Sequence, residues 1–246
     1  MSMLSVLLIA VGIGDVTRRL VGTTWAPPVI GVGVLVGGAL LAGLWHLGDL
    51  PLLALAAVAS VGWQVSCERA ERTGRYQATP LVVLGTSIAV LILLSGWGSE
   101  VDGLVGRWVS WVGLDVSAGR VLMVLGVLLV QLATANQVVR LVLGSVGAVK
   151  PAGQPQASDQ LKGGRLLGPM ERLLIVGLGL AGQLTMASAV VAAKSIIRFP
   201  EISATRDRDG TPERVGIDDV TEYFLVGSFA SWILAFGSLA LVAATH

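Results

Sequence analysis

Reactive and metal-binding side chains are nearly missing from this chain. It has one cysteine, Cys67, so it has no intramolecular disulfide and no thiolate cage for a metal. Its two histidines, His46 and His246, are too few for a histidine-rich metal site. Charge is scarce too: 13% of residues are Asp, Glu, Lys or Arg, against about 25% in a soluble domain. A formal net charge of +1 offers no basic field to nucleic acid. The sequence has no HExxH, no Walker motif, no nucleophile–histidine arrangement and no paired intramembrane carboxylates. It therefore implies no metal or cofactor, and it leans against an enzyme.

What is present is apolar. Hydrophobic residues make up 54% of the chain, and the mean hydropathy is +0.78. One apolar run, residues 173–193, is fenced by Glu171 and Arg172 on one side and by Lys194 and Arg198 on the other. At 1.5 Å per residue it is roughly 30 Å long, the thickness of a bilayer's hydrocarbon core. The run includes Gln183 and a GxGxxG match at Gly177, Gly179 and Gly182. No strand precedes that match and no acid follows at the dinucleotide spacing, so helix packing is its reading.

The expected fold is all-α, a single transmembrane domain of about seven helices. The spans are placed near 3–21, 29–47, 52–66, 80–97, 121–143, 172–194 and 222–244. No cleavable signal peptide is evident, because Asp15, Arg18 and Arg19 stand where small residues would precede cleavage. The first segment is read as retained. Residues 101–113 are too polar to cross. Leu104, Val105, Trp108, Trp111 and Val112 share one helical face there, and Asp102, Arg107 and Ser110 share the other. This pattern predicts a short interfacial helix with tryptophans at headgroup depth. Residues 150–168 and 199–219 are read as polar loops.

Lys and Arg set the orientation. They gather after the first, third and fifth spans, which predicts a multi-pass protein of the bacterial inner membrane with the N-terminus outside and the C-terminus cytoplasmic. The loop after the sixth span departs from this pattern, with Arg206, Arg208 and Arg214 outside. Cys67 would then react with an impermeant thiol reagent from the cytoplasmic side. Helix contact is expected through small residues. Gly33 and Gly37 form a GxxxG, and Ala39 and Gly43 continue the spacing. Ala181, Thr185, Ala189 and Ala193 are expected to face Gly227, Ser231 and Ala235.

The polar residues at membrane depth are the candidates for a site. Asp15 is read as paired with Arg18 or Arg19, with proton coupling as the sharper alternative. Gln131, Asn136, Gln137 and Arg140 can line the cytoplasmic half of the fifth span. They serve interhelical hydrogen bonding, a solute or ion path, or a lipid-headgroup site. Glu171, Arg172, Lys194 and Arg198 fit capping and snorkelling at the ends of the sixth span, or an ion-pair or headgroup role. Asp207, Asp209 and Gly210 start like a calcium loop, but the later ligands do not follow.

The last 110 residues or so resemble a family of bacterial multi-pass inner-membrane proteins known as a domain of unknown function. The resemblance rests on 162–172 (KGGRLLGPMER), on Ala192, Ala193, Lys194, Ser195, Arg198 and Phe199, and on Glu222, Tyr223, Gly227 and Ser231. Asn136, Gln137 and Arg140 look like that family's Asp-Gln-x-x-His element, with the acid and the histidine replaced. Asp15 looks like the acid of its first helix. The resemblance implies that Glu171, Arg172, Lys194, Arg198 and Glu222 act as a set, with an ion pair joining Lys194 or Arg198 to Glu222. It implies no activity.

Three classes remain. The sequence leans to a small transporter or channel subunit for an ion or small solute. The alternatives are a non-catalytic scaffold or partner subunit and a lipid-handling membrane enzyme. The expected partners are the lipid bilayer and a second copy or another membrane subunit.

Overall fold

A computed structural model describes residues 1–147, 164–206 and 217–245, and within these the side chains of 164–166, 195, 197–206 and 217–220 lie outside the description. Among the described residues the chain is all-helical. It divides into two compact units, residues 1–134 with 240–246, and residues 135–239.

The first unit is built on α1 (Ser2–Leu20), which packs against α2 (Ala26–Ala42), α3 (Asp49–Thr73) and α6 (Ala118–Leu129). Twelve of its residues are buried, on all sides of the helix. A helix apolar all round belongs in an interior. The organising element of this unit is α1. Close approach runs through glycines. A Cβ on Gly12 would meet Leu129 Cβ at 2.8 Å, and one on Gly126 would meet Leu8 Cβ and the Ser5 carbonyl at 3.0 Å. On α2, a Cβ on Gly38 would meet Val6, whereas one on Gly33 or Gly37 would have no atom within 4 Å. The expected GxxxG is therefore not the contact. The buried face of α2 includes Gly31, Leu35, Ala39 and Ala42, with Gly38 against Val6.

α4 (Ala78–Leu93) packs on α3, and a 3-10 turn (Ser95–Trp97) ends its apolar stretch. α5 (Leu104–Val112) occupies the stretch read as an interfacial helix, and it is docked through backbone. The N–H groups of Asp102 and Gly103 donate to the Ala42 carbonyl, 3.2 Å each, and satisfy an orphan acceptor at the end of α2. The chain comes so close that a Cβ on Gly103 would lie 2.5 Å from the Leu41 carbonyl oxygen.

α6 runs through a π-helical segment (Val130–Thr134) into α7 (Ala135–Ser145). The second unit holds α7, α8 (Gly164–Leu180), α9 (Leu184–Arg206) and most of α10 (Ile217–Ala243). The sixth span expected at 172–194 is not one helix. α8 ends at a left-handed glycine, Gly182 with φ 76°. Gln183 N–H donates to Leu178 O at 2.8 Å, and Gly182 N–H donates to Gly179 O at 3.0 Å. This is a Schellman turn, and α9 then packs back on α8 as an antiparallel hairpin. The polar loops also shrink. Residues 164–168 belong to α8, 199–206 to α9 and 217–219 to α10. Residues 150–163 and 207–216, with the calcium-like stretch, lie outside the described residues.

Three helical stretches among the described residues are long and apolar enough to cross a membrane: Asp49–Thr73, Ala118–Ser145 and Thr221–Ala243. Ala26–Ala42, Ala78–Leu93 and Leu184–Lys194 are apolar but shorter. Ser2 Oγ donates to the Ser99 carbonyl at 2.9 Å, and Thr245 lies beside Gly119 and Val101. The start of α1 and the end of α10 thus meet one end of the first unit.

Candidate functional site

The densest charged cluster is in the second unit, where α7, α8, α9 and α10 each supply a side chain. Arg172 on α8 is 2% exposed. Its Nη1 donates to Ser231 Oγ at 3.0 Å, and its Nη2 donates to Asn136 Oδ1 at 2.5 Å. Gly168 lies one turn earlier on α8, where a Cβ would make ordinary contact with Arg172 Nη1 at 3.5 Å. Next to it, Glu171 accepts on one oxygen from Trp232 Nε1 at 2.7 Å and pairs through the other with Lys194 Nζ at 2.6 Å. The Lys194 ammonium also sits over the rings of Phe224 and Trp232, 5.9 and 5.8 Å from their centroids. Such cation–π contacts add to the carboxylate's hold on it.

The depth of this cluster is its main feature. Ser231 and Trp232 fall at the middle of the 23-residue apolar stretch Thr221–Ala243. Two bases and one acid therefore meet the midpoint of a helix able to cross a bilayer. The sequence alone places them at the ends of the sixth span, snorkelling to water. The hairpin changes this, because Glu171 and Lys194 lie across from each other on its two arms. α8 and α10 run parallel, as the pairs Glu171 with Trp232, Arg172 with Ser231 and Gly179 with Leu239 show.

The other candidates separate. Asn136 meets an arginine, but it is Arg172 from the neighbouring helix; Arg140, one turn along α7, is exposed. Gln137 is half-buried on α7. Gln183 is exposed in the hairpin turn. Lys194 pairs with Glu171, and Glu222 is exposed; a pair between Arg198 and Glu222 falls outside the described residues. The Arg198 side chain lies outside the described residues. Thr185, Ala189 and Ala193 are exposed along α9, and Ala181 in the turn before it, while Ala187 of α9 is buried. Ser231 and Ala235 are buried. Opposition of the two stripes is thus not found, because Ser231 turns to α8.

A second cluster lies in the first unit. Asp15, 3% exposed, accepts from Trp63 Nε1 at 3.1 Å on both oxygens and from Gln64 Nε2 at 3.2 Å. Arg18 is the base paired with it, at 3.4 Å, and it also donates to the Gln64 side-chain oxygen. Arg19 instead donates to the Ala133 carbonyl at 2.7 Å, inside the π segment. Such a segment disturbs the regular ladder and leaves a carbonyl to be satisfied from outside. Gln131, in the same segment, is fully buried. Outside Arg18 and Gln64 opens a groove of about 230 Å³ walled by Thr23, Glu68 and Arg72. Trp63, the largest buried side chain of this unit, gives no signal in the sequence beyond its position a few residues before a charged run. Cys67 is fully buried, so the thiol-labelling test expected of it does not apply.

Comparison with protein-family models, with curated proteins and with solved structures gives no match for this chain.

Proposed function

We propose that this is a multi-pass membrane transport protein for an ion or small solute, with Glu171, Arg172 and Lys194 at its working centre. One observation carries this reading: three charged side chains converge on the midpoint of a helix apolar enough to cross a bilayer. Charges at such depth are costly and mark solute paths and ion relays. Short helical arms joined by a turn, with polar groups gathered beside them, are also a transporter's way of building a site. The ion pair between Glu171 and Lys194 joins the two arms, so exchanging partners there would loosen the hairpin.

The hairpin also supports a revised topology. If the sixth apolar run doubles back, Arg206, Arg208 and Arg214 fall on the same side as Arg18, Arg19, Arg69, Arg72 and Arg75. The positive-inside rule then holds at that loop as well. In this topology the start of α1 and the end of α10 face the outside of the membrane. A scaffold subunit is the second reading, favoured by the small-residue stripe left exposed on α9.

Native mass spectrometry of the protein extracted with its own lipid tests the choice. A transport protein is expected to retain a small molecule or one lipid species that Lys194→Gln releases. A ligand-free oligomer, or a complex with a second polypeptide, overturns transport in favour of the scaffold.

A further inference from the structure

Four tryptophans at one end of the first unit come from three separate stretches of chain. Trp45 follows α2, Trp97 closes the 3-10 turn, and Trp108 and Trp111 lie on α5. All four are exposed, at 59, 71, 51 and 84%. Their backbones are tied together. Ser99 N–H donates to Asp49 Oδ1 at 2.8 Å, Ser99 Oγ meets His46 Nδ1 at 3.1 Å, and Asp102 and Gly103 donate to Ala42. Leu104 and Val112 extend the apolar face of α5, while Val109 anchors its other side in the unit.

We propose that this tryptophan platform is seated in the headgroup layer of one leaflet and binds zwitterionic phospholipid. Two observations select lipid as the occupant. First, α2 has 17 residues, about 26 Å of helix, with exposed Trp25 just before it and Trp45 just after. With those flanks its length matches a hydrocarbon core of about 30 Å, so Trp45 marks a boundary level, and the platform is continuous with it. Second, the exposed charges around the platform nearly cancel. Glu100, Asp102 and Asp115 oppose Arg107 and Arg120. The platform thus has no basic field to select anionic lipid, and indole burial drives its contact.

The test uses the full chain in phosphatidylcholine nanodiscs, with and without phosphatidylcholine brominated near the carboxyl end of its acyl chains. Tryptophan emission is compared between the unmodified protein and Trp111→Phe, and again for Trp108→Phe. The emission that each substitution removes is expected to be the part quenched by brominated lipid and spared by aqueous iodide. Replacing about a third of the lipid, all of it unbrominated phosphatidylcholine, by phosphatidylglycerol at a fixed fraction of brominated lipid should leave that quenching unchanged. Quenching by iodide instead overturns the seating in lipid. Protection from both quenchers does so too, and assigns the platform to a second polypeptide or a second copy. Quenching that falls as phosphatidylglycerol displaces brominated lipid from the platform overturns the zwitterionic assignment.

Discussion

Glu171 and Lys194 show what one pair of side chains can decide. The carboxylate is shared between an ammonium and an indole N–H, and both side chains are largely shielded, 10 and 23% exposed. Removing one partner leaves the other charge in a poor solvent, whereas removing both does not. Glu171→Gln should therefore destabilise the protein by about 1–3 kcal/mol, and adding Lys194→Met should recover part of the loss. A double-mutant cycle on thermal unfolding in detergent checks this, and additive losses would deny the coupling. Arg172→Ala removes the donor that both Asn136 and Ser231 face, and a loss of about 2 kcal/mol is expected by the same measurement. Gly103 is a backbone case. A methyl group 2.5 Å from the Leu41 carbonyl cannot be placed without moving α5, so Gly103→Ala should cost about 1–3 kcal/mol.

Among elements, the α8 and α9 hairpin and the α1 contacts rest on glycines that do different things. Gly182 holds a left-handed conformation that closes the turn. Gly182→Ala should cost about 1–2 kcal/mol from backbone strain alone, since nothing crowds its Cβ position. Gly126 and Gly33 are a matched pair for helix packing. A methyl at Gly126 meets α1 at 3.0 Å, and one at Gly33 meets open space. Gly126→Ala should lower the melting temperature, and Gly33→Ala should leave it level or raise it slightly through helix propensity. Equal losses at both positions would place α2 differently from the arrangement described.

For the whole molecule, sidedness is the property to measure. In a Cys67→Ser background, Leu47→Cys, 87% exposed at the tryptophan end, should label from outside intact cells with an impermeant maleimide. Ala244→Cys, exposed just past the end of α10, should do the same. Arg75→Cys, just past the end of α3, should label only in inside-out vesicles. Labelling of Ala244→Cys from the cytoplasmic side would restore an odd number of crossings and remove the hairpin topology.

Composition by itself determined the class of this protein. Apolar transfer adds up residue by residue, so a 54% hydrophobic chain with runs near 20 residues reads as helices for a bilayer wherever the residues later pack. The same local sums placed α1, α3, α6 with α7, and α10, and the alternation on α5 placed its tryptophans on one face. Pairing is not a local sum, and the sequence left it open. Gly177, Gly179 and Gly182 are alike in an apolar run, and only packing against neighbouring helices makes the last of them turn the chain. Asn136 can reach Arg140 on its own helix, yet it bonds Arg172, 36 positions away, because α8 passes at Gly168. Lys194 looks like a snorkelling end residue until the hairpin sets it across from Glu171. Each of these contacts depends on where a second helix lies. That position is set by steric fit over many residues, so only the tertiary structure decided which charges met at the middle of the span.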